Sequence, residues 1–323
     1  MRLTDSTRRC VVAEPVALAA LAMDAAIGWP QTLYAKVGHP VGGFARLIDW
    51  CEAAWNRAEL SSSRRRMLGI VTAGLVIGVG VGAGWLAGEL AGGLLGRWGW
   101  IGAALVAAPG LAQRSLDDHV RPVAAALEQG DLAAARGAVG RIVGRDTAAL
   151  DEAGISRATV ESLSESFCDG VVAPLFWLLL LGLPGLWAYK AINTADSMIG
   201  HREPRWRAFG WAAARSDDLA NLLPARLGGA LLCLAGGGGW LVMWRDARNH
   251  ASPNAGWTEA AMAGVLEVRL AGPIAYDGAV ADKPWIGSGR ADLSAADIRR
   301  ALEVYRRACL LLWLVAGSVA WAL

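Results

Sequence analysis

Leu175-Phe176-Trp177-Leu178-Leu179-Leu180-Leu181-Gly182-Leu183-Pro184-Gly185-Leu186-Trp187-Ala188-Tyr189-Lys190 is the stretch whose reading decides the fold. It is apolar enough for a bilayer, but a proline and two glycines cut it and a lysine ends it. The arms on either side, 175–183 and 186–195, are short. Nine helical residues rise only about 13.5 Å, under half of the roughly 30 Å hydrocarbon core. The spacing therefore predicts a re-entrant hairpin or broken helix over 170–195 rather than a simple crossing. Backbone broken at membrane depth is tolerated only when it is buried in protein or lines a wet cavity. The same feature thus predicts a site.

Polar residues crowd both flanks of this run. Glu161, Glu165 and Asp169 precede it; Asn193, Asp196 and Ser197 follow, then Arg215, Asp217, Asp218 and Asn221. A full crossing at 170–189 would separate Lys190, Arg202, Arg205, Arg207, Arg215 and Arg226 from Arg145 and Arg157. That distribution runs against the enrichment of basic residues in cytoplasmic loops. A hairpin keeps them together. The glycine run 236–239 suggests a second broken or re-entrant segment over 227–245.

The rest of the composition agrees with a membrane protein. Of 323 residues, 54% are hydrophobic and 19% charged, and mean hydropathy is +0.35, more apolar than a typical soluble domain. A net charge of +2 gives no sign of a nucleic-acid partner. The cysteines at 10, 51, 168, 233 and 309 are scattered without a C-x-x-C pair, which favours free buried thiols over a disulfide framework or zinc site.

Arg8-Arg9 precede an apolar run, and Glu14 and Asp24 within it argue for a retained first helix at 10–28 over a cleaved signal peptide. Residues 43–60 carry Phe44, Leu47, Ile48, Cys51 and Trp55 at helical spacing and read as an interfacial amphipathic helix. Arg64-Arg65-Arg66 stand before the next apolar run and place this loop in the cytoplasm. Spanning segments are expected at 67–96, 98–112 and 308–323. Gly74, Gly78, Gly80, Gly82, Gly84 and Gly88 suit close helix packing; no lysine or strand supports a nucleotide loop there. The segment 113–166 is the largest cytoplasmic insertion, broken at Gly130-Asp131, and 271–292 reads as loop. The expected fold is one all-α, multi-pass integral membrane domain with broken or re-entrant helices and cytoplasmic helical loops.

Glu161, Glu165 and Asp169 recur every four residues and share a helical face. The stripe reads either as a solvated acidic face or as ligands for a hard divalent cation such as Mg²⁺; the apolar run just after it argues against free solvent. Lys190, Asn193 and Ser197 share another face, with Asp196 beside it. Arg215 and Asp218 fit a structural salt bridge as well as an anion site. His39 reads as structural. No G-x-S-x-G, H-E-x-x-H or Walker motif is present.

At these residues the chain resembles the CobD/CbiB family of cobalamin-biosynthesis membrane proteins, the adenosylcobinamide-phosphate synthases. The likeness runs through His39-Pro40-Val41, Gly144-Arg145-Asp146-Thr147, Glu161-Ser162 with Glu165, and Asp169-Gly170. It continues through 189–198, Ala214-Arg215-Ser216-Asp217-Asp218, Pro224-Ala225-Arg226-Leu227 and Asp246-Ala247-Arg248, and ends on Ser252-Pro253-Asn254-Ala255-Gly256-Trp257 and the residues to 264. The resemblance implies an ATP-dependent ligase in the cell inner membrane, its site facing the cytoplasm. Such enzymes join the propionate carboxyl of (adenosyl)cobyric acid to (R)-1-amino-2-propanol or its O-phosphate through an acyl phosphate. ATP and Mg²⁺ would be its cofactors.

It further implies Glu161, Glu165 and Asp169 on Mg²⁺, and Lys190, Asp196, Asp217 and Asp218 as catalytic groups, with Lys190 also on phosphate. Arg145, Asp146, Asn193, Arg215, Asn221, Ser252, Asn254 and Glu259 would contact substrate or phosphate. Implied partners are the corrinoid, the amine, the lipid bilayer, and other late cobalamin-assembly enzymes or a second copy. The chain departs from the family at Trp29, where aspartate is usual, at Ser166 for asparagine, and at Ser164 for alanine. A non-catalytic membrane sensor or assembly partner of the same fold is the competing reading, and the 252–257 motif favours the ligase. A transporter would need pseudo-symmetric halves, which the sequence does not show.

Overall fold

The computed structural model describes residues 15–322 except 145, 273, 277, 278, 282 and 283. The first helices are α1 (Val16–Ala26), α2 (Gln31–Val37), α3 (Val41–Trp55), α4 (Ser62–Leu95) and α5 (Gly99–Ala107). Next come α6 (Gln113–Glu128), α7 (Leu132–Val139), α8 (Glu152–Phe167) and α9 (Ala173–Ile199). The chain then forms α10 (Trp211–Ala220), α11 (Leu222–Gly236), α12 (Trp240–Asp246), α13 (Ala255–Leu266) and α14 (Ala295–Ala322). The segment expected as loop near 271–292 instead contains short antiparallel ladders. β1 (Leu270–Ala271) pairs with β4 (Trp285–Ile286), and β2 (Ile274–Tyr276) with β3 (Ala279–Ala281).

Three helical stretches are long and apolar enough to cross a membrane: Ser62–Glu128, Glu152–Ile199 and Ala295–Trp321. The pair α10 and α11, bent by 48°, would add a fourth. Exposed Ile70, Leu75, Val79, Leu86 and Leu90 on α4 and Leu310 and Leu314 on α14 give these helices outer faces suited to lipid tails. The expected return crossing at 98–112 is made of α5 and a 3₁₀ turn at Ala108–Gly110. With nine residues, α5 rises only about 13.5 Å. Of the first expected helix, residues 10–14 lie outside the described residues, and α1 covers 16–26.

The decisive stretch folds back on itself. Gly182 has φ 66° and ψ −156°, a conformation open to glycine, and it splits α9 into two arms. The side chains of Asp169 and Asn193, 24 residues apart, meet at 3.3 Å. In a continuous helix they would stand about 36 Å apart. Gly185 likewise lies against Trp177 and Leu181 of the first arm. From Asp169 to the tip is about 20 Å of helix, short of the roughly 30 Å core. The 48 residues of Glu152–Ile199 thus form a hairpin that turns back at Gly182. A second reversal follows at Gly237 and Gly239, both with positive φ (71° and 84°), which turns α11 into α12. Both helices pack on α13, buried along almost its whole length from Ala255 to Ala263.

The α9 hairpin rests on α4, and here the glycines divide. A Cβ on Gly80 would lie 2.6 Å from the Trp187 carbonyl oxygen, and one on Gly84 2.5 Å from that of Leu183. Gly74, Gly78 and Gly82 face open space. Overpacking costs about 1–3 kcal/mol even where side chains can shift, and a backbone carbonyl cannot. Gly80→Leu and Gly84→Leu are therefore expected to lose most of the monodisperse peak in detergent size-exclusion chromatography. Gly78→Leu should elute as wild type; equal behaviour of all three would contradict this packing.

Asp24, odd in an apolar helix, is buried and accepts from Gln113 N at 2.7 Å and Arg114 N at 3.3 Å, capping the start of α6. At the expected break of the insertion, Gly130 has φ 70° and Asp131 caps α7 by accepting from Ala134 N.

Candidate functional site

The α9 hairpin, α8, α10 and the loop before α13 enclose a cleft with two chambers of about 420 and 310 Å³. The first sets Glu161, Glu165 and Glu259 against Ile142, Val143 and Ala158. The second holds Asp169, Asp196, Asp217 and Asp218 together with Arg202 and Arg215. Glu165, His250 and Ala251 border both, so they form the partition.

A hydrogen-bonded ring makes the floor of the second chamber. The Asn193 amide donates to Asp169 Oδ2 at 3.3 Å and to Asp217 Oδ1 at 3.5 Å. Asn221 donates to Asp217 Oδ2 at 3.0 Å and accepts from the Tyr189 hydroxyl at 3.0 Å; that hydroxyl also lies 3.5 Å from Asp169 Oδ1. Two amides and a phenol thus brace two carboxylates that would otherwise repel. Lys190, half-buried, is the neighbouring positive charge of both. It borders neither chamber, so the structure puts it behind the floor.

Asp169 lies in a π turn at Cys168–Val172, which widens the helix between α8 and α9. Glu161 faces the first chamber, where its Oε1 accepts from Ala271 N at 2.7 Å, and Asp169 faces the second. The three carboxylates of the stripe are strung along the cleft. Among the described residues, no three His, Cys, Asp or Glu side chains gather as a metal-ligand set.

Arg215 pairs with Asp218 at 2.7 Å, its side chain half-exposed at the rim. Ser252 Oγ accepts from the backbone of Asn254 and Ala255 at 3.2 and 3.3 Å, closing the turn that leads into α13. Asn254 donates to the Asp218 carbonyl at 2.8 Å and accepts from Arg226, tying this loop to α10. Glu259 is buried in α13, 3.6 Å from His250 Nε2. Asp146 borders neither chamber; it accepts from Ala148 N in a turn. Arg145 lies outside the described residues.

The sequence reading passed over His250 and weighed Arg202 only for topology. His250 Nδ1 accepts from Ser252 N at 3.0 Å, and its place two residues before the Ser252-Pro253 turn was the available signal. Two of the three departures find local partners. Trp29 donates from its indole to the Gly38 carbonyl at 3.2 Å and packs edge-on against His39. Ser164, buried, donates back to the Val160 carbonyl.

His39 Nδ1 accepts from Val41 N at 3.3 Å. Burial, and then the Lys190 charge, hold its imidazole below the ordinary value of 6.5. The folded protein thus resists a proton that the unfolded chain accepts. The stability contributed is fully present above pH 6.5 and is lost as pH falls through the lowered folded value. His39→Asn should flatten the fall of thermal stability between pH 7 and 5; an unchanged slope would contradict this.

A family model described as CobD/Cbib protein matches residues 17–305. A protein called "Cobalamin biosynthesis protein CobD" from Rhodobacter capsulatus is 49% identical over 307 residues, covering 93% of this chain and 95% of the relative. Proteins of the same description from a Sinorhizobium species and from Brucella anthropi are each 47% identical, over 90% and 88% of this chain and 93% and 90% of theirs. No solved structure matches.

Proposed function

The chain belongs to the CobD/CbiB family of cobalamin biosynthesis, and from that premise we propose that it is the ATP-dependent amide ligase acting on cobyric acid. It joins the free propionate carboxyl of (adenosyl)cobyric acid to (R)-1-amino-2-propanol or its O-phosphate. The site faces the cytoplasm from the inner membrane, on the side marked by Arg64-Arg65-Arg66.

The observation that carries this reading is the cleft itself. Arginines and a dense set of carboxylates share one chamber, and a partition of Glu165 and His250 separates it from a half-apolar one. Amide formation needs both environments. A carboxylate is a poor electrophile, and phosphorylation by ATP makes it an acyl phosphate. Its oxygen attacks the γ-phosphorus, and the P–O bond to ADP breaks. The amine nitrogen then attacks the acyl carbon, phosphate leaves with the C–O electron pair, and the nitrogen loses a proton.

Arg202 and Arg215 hold phosphate oxygens in this scheme. Asp196, whose carboxylate makes no hydrogen bond among the described residues, takes the proton. Asp217 and Asp218, fixed by Asn221 and Arg215, orient the amine. Oxygen donors of this kind suit Mg²⁺, which takes one or two protein carboxylates and completes its shell with water and phosphate oxygens. Glu165 and Asp169, facing the same chamber, would hold it; Glu161, on the other side of the partition, would not. When bound, the ion neutralises charge that develops on the transferred phosphoryl group.

Growth separates this reading from a non-catalytic one. A strain lacking the gene should grow on cobinamide and fail on cobyric acid. Rescue by both compounds would reject the ligase.

A further inference from the structure

An arginine stacks on a tryptophan at each end of α4. The Arg66 guanidinium lies 3.8 Å from the ring centroid of Trp211, the first residue of α10. At the other end, Arg97 lies 4.8 Å from the ring of Trp98. Between Arg66 and Leu95 the helix rises about 44 Å, matching the roughly 40–45 Å of a bilayer with its headgroups. Tryptophan and arginine both settle where lipid tails give way to headgroups. The Arg66–Trp211 stack therefore marks headgroup level at one face of the membrane.

This end of α4 is strongly basic. Arg65 donates to Asn56 Oδ1 at 2.7 Å and to the Arg205 carbonyl, which draws together the segments before α4 and before α10. In these segments Arg57, Arg64, Arg65, Arg66, Arg205 and Arg207 outnumber Glu52, Glu59 and Glu203. Glu52 pairs with Arg205 at 2.7 Å, while Arg66 stays exposed. Stacking holds the guanidinium plane and leaves its N–H edge for phosphate oxygens.

Past Arg66, the residues Met67, Ile70, Gly74 and Gly78 follow at three- and four-residue steps and form one exposed stripe. A Cβ on Gly74 or Gly78 would meet nothing within 4 Å. The two glycines thus leave a shallow trough, bordered by exposed Val71 and Leu75. From Arg66 to Gly78 the trough runs about 18 Å, a little over half of the roughly 30 Å core and so the depth of one leaflet.

We propose that an anionic phospholipid occupies this corner, with its headgroup phosphate on Arg66 and one acyl chain along Gly74 and Gly78. The site requires only that α4 spans the membrane, and it stands whether or not the protein makes an amide.

Native mass spectrometry of the full chain, titrated in detergent with phosphatidylglycerol and with phosphatidylcholine of identical chains, tests this. Wild type should bind the first phosphatidylglycerol at least about tenfold more tightly than the first phosphatidylcholine. Arg66→Gln should erase that preference, whereas Arg97→Gln, the same charge change at the opposite stack, should keep it. Arg66→Lys, which keeps the charge and loses the planar fork, should keep part of it. Gly78→Leu, expected to elute as wild type, should weaken both lipids alike. No preference in wild type, or an equal loss in Arg66→Gln and Arg97→Gln, would overturn the proposal; in the second case the lipid answers net charge alone. Unchanged binding in Gly78→Leu would overturn the place of the acyl chain. Displacement of the bound lipid by equimolar glycerol 3-phosphate would also overturn the proposal, since Arg66 would then serve a soluble anion.

Discussion

Glu165→Gln protein, inserted in the membrane at wild-type levels, will form cobinamide at least about 10²–10³-fold more slowly than wild type. That range is typical for removing one preorganised electrostatic group from an active site. Glu165 borders both chambers, and in the proposed scheme it would help hold the Mg²⁺ beside the transferred phosphoryl group. Its carboxylate makes no hydrogen bond among the described residues, so an isosteric amide leaves nothing unpaired and the fold intact. Product formation by mass spectrometry, normalised to protein in the membrane, measures the loss. Turnover within a few-fold of wild type would remove Glu165 from the site.

Lys190→Met will unfold more readily, because Asp169 and Asp217 would lose the positive charge that balances them. Among the described residues Lys190 makes no ion pair with either acid, so the loss should fall below the about 3–5 kcal/mol that deleting one partner of a buried pair costs. Lys190 is half-buried, so that figure is an upper bound here. The hydrogen bonds from Asn193, Asn221 and Tyr189 remain, but they hold the two acids together rather than neutralise them. The double variant Lys190→Met/Asp169→Asn removes one charge of each sign and should recover much of the loss. Detergent melting curves decide this. A single variant as stable as wild type, or a double variant no better than the single, would contradict the arrangement.

Much of this architecture was legible because single residues carried it. Pro184 and its flanking glycines announced a break, and arm length against bilayer thickness announced a hairpin. The tip falls at Gly182, because the turn needs positive φ and proline cannot supply it. The glycines of α4 announced close packing, but only Gly80 and Gly84 of those six meet a carbonyl. Which face meets α9 depends on a partner far along the chain, and periodicity in a helix apolar all round does not reveal it.

The site divides the same way. Spacing placed Glu161 and Glu165 on one stripe, and both face the first chamber. Asp169 follows the count of four only until the π turn, and a local widening of this kind leaves no mark in composition. Lys190 stood out as a rare lysine beside acids, yet burial decides that it backs the floor rather than borders a chamber. His250 went unread because its place in the partition depends on Glu165, distant in sequence.

The central claim is amide formation through an acyl phosphate, and oxygen transfer tests it most directly. Wild-type protein in nanodiscs would receive cobyric acid labelled with oxygen-18 in its free propionate carboxyl, with ATP, Mg²⁺ and the amine. The account predicts one labelled oxygen in inorganic phosphate for each amide formed. Amide formed with unlabelled phosphate would contradict the acyl phosphate, and no ATP-dependent amide with either amine would contradict the ligase itself.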